Sequence, residues 1–344
     1  MNRVIAAYAS LGSGCAYLLT TRSAFYDIDT ANEHWESMHN RECPYHLPSE
    51  YSIKSMDDLR YSFTTPKNFS TLQLDAQTKR WIAEKGGGES FWQSMALMIL
   101  STIFVSFRDA QGWLDLPAVH LLSQDMWSEI LQTTHGRPGG RCLDVGAGAG
   151  HITRAFKHNY DEIYAVEISD GLVWRLQKLG FYATRSSEAS AVALSAAGLP
   201  ASFDAVFALN LLDRVERSDD FLDDLIALTR PGGTLVIALP LPYMSLPWTS
   251  LGKSMTVADR DDWNAVHGLS LRGPNENWEE AALAVIDLLE RHGLEVKHIA
   301  RAPYLAQRSF FHHIRGPQAL DGALFIARRP KPGTTDLKNA RSGL

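Results

Sequence analysis

The stretch Arg141–Gly150, RCLDVGAGAG, decides the fold, and Glu167 downstream completes its meaning. Cys142, Leu143 and Val145 make the apolar run of a short buried strand, with Asp144 near its end. Gly146, Gly148 and Gly150 follow, and glycines at this spacing let the chain turn tightly and let a ligand approach the backbone. His151 to Lys157 then starts a helix, and a second β-like run, Glu162 to Val166, ends at the acidic Glu167. Strand, glycine turn, helix and a second strand ending in a carboxylate form half of a doubly wound nucleotide-binding sheet. The carboxylate is placed to take both hydroxyls of an adenosine ribose.

The chain downstream repeats the alternation. Ser169 to Leu179 reads as a capped helix, Phe181 to Thr184 as a third strand and Phe203 to Asn210 as a fourth. Asp219 to Thr229 is amphipathic, with Phe221, Leu222, Leu225, Ile226 and Leu228 inward, and the RPGG at 230–233 stops it. Thr234 to Leu239 is a fifth strand. Asn277 caps a helix that runs to His292, with Leu283, Ile286 and Leu289 on one face. Leu294–Arg301 and Ala323–Arg328 close the sheet as an antiparallel hairpin at one edge. The class is α/β with a mostly parallel sheet.

Upstream, Ser123 caps a helix whose Met126, Trp127, Ile130 and Leu131 share a face. Phe91 to Phe107 is the most apolar stretch, but it is short and carries Gln93, Ser94, Ser101, Thr102 and Ser106, which predicts a buried helix over a membrane span. The irregular section Pro240–Asn277 carries Tyr243, Trp248 and Trp263 and is expected to pack as a substrate-facing excursion. The expected organisation is a signal, anchor or flexible terminus over 1–23, a mainly helical extension over 24–114, the sheet domain over 115–329 and a disordered tail over 330–344.

A net charge of −6 argues against a nucleic-acid backbone as main partner, while leaving a basic peptide open. Cys15, Cys43 and Cys142 show no metal spacing, and adjacent His312 and His313 do not converge on one ion from a strand, so no metal is expected. Met1 to Thr20 reads as a signal or anchor segment or as a loose terminus, which leaves an endoplasmic-reticulum or endomembrane location and a cytoplasmic one both open.

The glycine spacing separates two cofactor readings. A dinucleotide site shows GxGxxG, whereas this turn is GxGxG preceded by Asp144. Asp144 is suited to hydrogen bonds within the turn or from a ligand amino group. With Glu167 for the ribose and the closing hairpin, the pattern points to S-adenosylmethionine and to a seven-strand class I, Rossmann-like methyltransferase fold.

Seven segments carry a family resemblance: LDVGAGAGHIT, EIYAVEIS, VWRLQK, LNLLDR (Leu209–Arg214), ALPLPY, NWEE and APYL. Over about Phe91 to Arg328 they resemble the DREV family, methyltransferase-like protein nine, whose members are protein-histidine N-pros-methyltransferases. The resemblance implies methylation of the pros nitrogen (Nδ1) in His-x-His sequences with x small, in protein substrates. It also assigns Asp213 and Asn210 to the substrate histidine site. The family's turn runs GAGDG, and this chain has Ala149 in place of that Asp. None of the chain's own 12 histidines lies two residues from another, so it is not its own substrate by that rule.

Read from the residues, Asp213 lies just past the fourth strand, on the rim where such sheets bind ligands. It would accept from Nε2–H of a neutral imidazole and leave the lone pair on Nδ1; the structural alternative is a helix cap paired with Arg214. Asn210 adds a second contact, to substrate or cofactor. Tyr304 and Tyr243 are the substrate-binding candidates, with Tyr304 equally readable as a core tyrosine. Two further functions stay open: methylation of a small molecule or another side chain, and a fold that has lost catalysis and serves as a binding partner. A monomer is expected.

Overall fold

The computed structural model describes residues 68–71, 75–85, 88–103, 106–135, 139–215, 217–243, 268–272, 278–307 and 318–332. The N-terminal segment, Cys15, Cys43, Trp248, Trp263, Asn277, His312, His313 and the tail after 332 lie outside the described residues.

The elements in chain order are β1 (Asn68–Thr71), α1 (Ala76–Lys85), α2 (Phe91–Ile103), α3 (Phe107–Leu114), β2 (Val119–His120), α4 (Gln124–His135), β3 (Arg141–Val145), α5 (His151–Phe156) with a short 3₁₀ turn after it, β4 (Glu162–Glu167) and α6 (Asp170–Lys178). They continue with β5 (Tyr182–Arg185), α7 (Ala191–Ala196), β6 (Phe203–Leu209), α8 (Ser218–Leu228), β7 (Thr229–Pro240), α9 (Trp278–Arg291), β8 (Glu295–Ala306) and β9 (Gln318–Arg328). The strands form one nine-stranded sheet in the order β1-β8-β9-β7-β6-β3-β4-β5, with β2 also on β8. β3 to β7 are mutually parallel where they pair. β9 is antiparallel to both its neighbours, β7 and β8.

Three expectations change. The closing hairpin is not a free edge: β9 is inserted between β7 and β8, and β1 and β2 line β8 beyond it. Chain turns alone do not show this, because pairing order is set by distant strands. The RPGG segment does not separate α8 from β7. α8 ends at Leu228 and β7 starts at Thr229, with an irregular register against β6 at its first residues. The apolar stretch from Phe91 is a helix, but not a buried one. Only Ser94 and Leu97 of α2 are buried, while Phe91, Trp92, Ile99 and Ile103 are exposed. Its apolar residues run round the whole helix, so a helix with one neighbouring face leaves some of them outside. No described helix is long and apolar enough to cross a membrane.

The central strands are apolar on both faces because helices cover both. In β6, Val206 and Ala208 face one core with Leu222, Leu225, Val285 and Leu289, whereas Ala205, Phe207 and Leu209 face the other with Trp127 and Phe156. β7 alternates likewise, Leu235, Ile237 and Leu239 against Val236 and Ala238. Phe207 stacks on Phe156 with centroids 4.2 Å apart. These two packed layers leave the carboxyl ends of β3, β4 and β6 as the rigid rim on which the site is built. The expected caps at Ser123 and Ser169 are present: Met126 N donates to Ser123 Oγ and Leu172 N to Ser169 Oγ. α7, capped by Ser190, is a helix that no periodicity announces in its six residues.

Candidate active site

The glycine turn bends out of β3 with all three glycines at positive φ: 71° at Gly146, 55° at Gly148 and 78° at Gly150. Two of them have a specific purpose. A Cβ on Gly146 would meet the side chain of Leu211 at 2.9 Å, so its absence lets the loop after β6 come down onto the turn. A Cβ on Gly148 would meet nothing within 4 Å. Gly148 therefore turns toward open space, which would let a ligand reach the backbone.

Two buried carboxylates brace this turn. Glu167 is 5% exposed at the end of β4, and its Oε2 accepts from Gly148 N at 3.0 Å. Its Oε1 accepts from Ile168 N at 2.8 Å, and both oxygens keep lone pairs for further donors. Asp144 is 2% exposed beneath the turn and accepts from Thr153 Oγ1 at 2.6 Å. Burial, assisted by the charge of Glu167 and opposed by the Thr153 hydrogen bond, pushes the Asp144 carboxyl up to about 7. Thr153 is a partner that sequence reading missed; its place one turn into α5 is the only signal for it. Ala149 is itself buried within the turn.

Across the turn, β6 delivers the second half of the site. Asn210 donates its backbone N–H to Ala238 O at 2.8 Å and then leaves the strand in a left-handed conformation, φ 53°. Asn210 and Asp213 are 5% and 4% exposed. Neither amide atom of Asn210 completes a hydrogen bond of good geometry among the described residues, and Asp213 Oδ1 has no partner there either. Asp213 Oδ2 takes a long contact, 3.5 Å, from Arg214 Nε. Burial raises the Asp213 carboxyl above its ordinary range, against the pull of the Arg214 guanidinium. Tyr304, half-buried on β8, reaches the same place. Burial raises its phenol, Arg214 lowers it, Asp213 raises it further and the Asn210 amide lowers it.

Tyr243 lies behind this loop. It is 6% exposed; its hydroxyl donates to Leu212 O at 3.4 Å and accepts from Leu269 N at 3.2 Å. Ser218 Oγ donates to the same Leu212 carbonyl at 2.8 Å. The structure thus brings together Asp144, Gly146, Gly148, Gly150 and Glu167 on one side and Asn210, Asp213 and Tyr304 on the other. Tyr243 supports the second group from the core side. No group of metal-ligating side chains is found among the described residues.

The profile of the DREV methyltransferase family matches residues 58–320, well over half of the chain. The chain belongs to the DREV methyltransferase family. Its cofactor is S-adenosylmethionine, and the residues fit it: open space at Gly148, a buried carboxylate at Glu167 and a buried amide at Asn210 lie at the carboxyl ends of the neighbouring strands β3, β4 and β6.

Other similarities of this DREV methyltransferase are partial. It is 32% identical over 103 residues to the ubiquinone biosynthesis O-methyltransferase of Xanthomonas campestris pv. campestris, covering 29% of the chain and 43% of that enzyme. It is 31% identical over 121 residues to the demethylmenaquinone methyltransferase of Beutenbergia cavernae, covering 34% and 47%. The chain therefore spans less than half the length of these curated relatives. Among solved structures, a SAM-dependent methyltransferase from Methanosarcina mazei aligns at 14% identity over 59% of the chain and 97% of its own, with TM-score 0.40. The N-methyltransferase NodS of Bradyrhizobium japonicum with S-adenosyl-L-homocysteine aligns at 15% over 60% and 87%, with TM-score 0.38.

Proposed function

We propose that this DREV methyltransferase methylates the pros nitrogen, Nδ1, of histidine in His-x-His sequences of protein substrates, with x small. The observation that carries the reading is the buried Asn210–Asp213 pair on the rim beside the cofactor turn: among the described residues, Asp213 Oδ1 has no partner and the Asn210 amide completes no hydrogen bond of good geometry. Buried polar atoms are nearly always satisfied, so a pair left open marks a place that a ligand completes.

Bound S-adenosylmethionine supplies a methyl group on an electrophilic sulfonium. The chain then has to align a neutral imidazole and manage its charge. Asp213 Oδ1 accepts from Nε2–H, which fixes the tautomer with the lone pair on Nδ1. As the new N–C bond forms and the C–S bond breaks, the ring becomes cationic, and the Asp213 carboxylate stabilises it. The Nε2 proton leaves afterwards to solvent, giving a neutral methylated ring. Burial raises the Asp213 carboxyl, and the Arg214 guanidinium pulls it back toward the ionised form. Asn210 orients the ring or the methionine part of the cofactor, and Tyr304 packs along the ring.

Within the nine-stranded sheet, β5-β4-β3-β6-β7-β9-β8 is taken as the seven-strand class I core, in a catalytic unit spanning 115–329 with 24–114 as its extension. The same proposal includes a monomer and an endoplasmic-reticulum or endomembrane location, checked by sedimentation and by imaging of a carboxyl-terminal fusion. A small-molecule substrate is the second reading, favoured by the partial similarity to two quinone-pathway methyltransferases. Labelled S-adenosylmethionine with a His-Ala-His peptide, compared with its Ala-Ala-Ala version, separates them. Transfer to a quinol substrate with none to the histidine peptide overturns the protein-histidine reading.

A further inference from the structure

The peptide that carries Asp213 is held from the core side by two hydroxyls. After β6 the chain turns back at once, and Arg214 N donates to Leu211 O at 2.8 Å. Leu212 O belongs to the same planar peptide unit as Asp213 N, so fixing that oxygen fixes the plane from which the Asp213 side chain projects. Ser218 Oγ donates to Leu212 O at 2.8 Å. The Tyr243 hydroxyl lies 3.4 Å from the same oxygen and 3.3 Å from Ser218 Oγ, and it accepts from Leu269 N at 3.2 Å. The donors run one way, from Leu269 N–H through the Tyr243 and Ser218 hydroxyls, and end on the carbonyl just before Asp213.

Ser218 is the first residue of α8, and a serine at a helix start ordinarily caps the free backbone N–H groups. Here Arg217 holds the cap position, in a left-handed conformation with φ 54° and no side-chain cap bond. The Ser218 hydroxyl, 0% exposed, turns back to the loop instead. A buried donor without an acceptor is costly, so this bond is held firmly.

We infer that Ser218 is a positioning residue for methyl transfer: by holding Leu212 O it aims Asp213 at Nε2–H of the substrate imidazole and so selects Nδ1 for methylation. The inference rests on the proposed reading of Asp213 as acceptor of that proton, and it adds the device that sets which nitrogen reacts. With Asp213 held, the ring binds as the tautomer with its lone pair on Nδ1. With Asp213 loosened, the ring can turn and present Nε2 to the methyl group.

The test is Ser218→Ala with labelled S-adenosylmethionine and the His-Ala-His peptide, the position of the methyl group being read by NMR of the product. The kcat is expected to fall by about tenfold to a hundredfold, at wild-type affinity for S-adenosylhomocysteine, and Nε2-methylated product is expected beside the Nδ1 product. Thr229→Val is the matched control. Thr229 is equally buried at the other end of α8, where its Oγ1 donates to Leu225 O at 2.9 Å, so the change removes a buried hydroxyl bond away from the Asp213 peptide. This control is expected to melt lower than wild type while keeping its kcat and its single product. A Ser218→Ala enzyme that still makes only the Nδ1 product overturns the inference and leaves the reading of Asp213 in place. A fall in kcat matched by Thr229→Val, or accompanied by lost cofactor binding, overturns it as well, since either is damage to the fold as a whole. No transfer to the peptide by the wild-type protein overturns the reading itself and the inference with it.

Discussion

Gly148 N donates to Glu167 Oε2 at 3.0 Å, so the carboxylate at the end of β4 holds the glycine turn. With the ribose role expected of Glu167, the same side chain would couple the shape of the turn to ligand binding. Glu167→Ala is expected to weaken S-adenosylhomocysteine binding by roughly tenfold to a hundredfold. Isothermal calorimetry measures this, and unchanged affinity would remove Glu167 from the ribose role.

Asp213→Asn keeps the volume and removes the charge. Cofactor affinity is expected to stay near normal while turnover on the His-Ala-His peptide falls by about 10²–10⁴-fold. Because burial raises the Asp213 carboxyl, activity is expected to fall as pH drops through that raised value, and through the imidazole pKa of the substrate, both of which take up a proton. A variant with most of its kcat left would show that Asp213 is only structural.

Asp144 has a different pH signature. Its pKa is about 7 in the fold against an ordinary value of 3.8, so the folded state holds the proton more tightly than the unfolded one. Its unfavourable effect is absent below the unfolded value, grows as pH rises between 4 and 7 and is complete above the folded value. Asp144→Asn is therefore expected to raise the melting temperature of the ligand-free protein at pH 8 by a few degrees, with the gain vanishing near pH 4. Scanning calorimetry at the two pH values checks it; a gain that is the same at both would contradict the buried-carboxylate cause.

Gly112→Ala tests the seat of α3. Its Cβ has no space against the Gly171 backbone, and backbone cannot rotate away as a side chain would. A loss of about 1–3 kcal/mol in chemical denaturation is expected. Stability equal to wild type would mean that α3 docks loosely.

Tyr243→Phe removes the hydroxyl that joins Leu212 O, Ser218 and Leu269 N. A cost of about 1 kcal/mol in unfolding free energy is expected, with peptide KM little changed. A raised KM at unchanged stability would instead make Tyr243 a substrate contact.

Local pattern was enough for the glycine turn and the strands that hold it. A strand, three glycines, a short helix and a terminal carboxylate are contiguous within Arg141 to Glu167, and each is dictated by short-range sterics and hydrogen bonding. The alternation that put Val206 and Ala208 against one core and Phe207 against the other is likewise a local period of two. Position Asp213 was readable because it follows a strand end, yet its missing partner was not, since burial and orphaned atoms belong to the packed state. Tertiary structure alone decided the insertion of β9 beside β7, the exposure of Trp92 and Ile99, the hydrogen bonds of Tyr243 with Leu212 and Leu269 and the seat of α3 on Gly171. Those outcomes depend on which distant surfaces fit together, and residues 60 positions apart, such as Asp109 and Ser169, leave no periodic trace of a hydrogen bond that only folding brings within 2.7 Å.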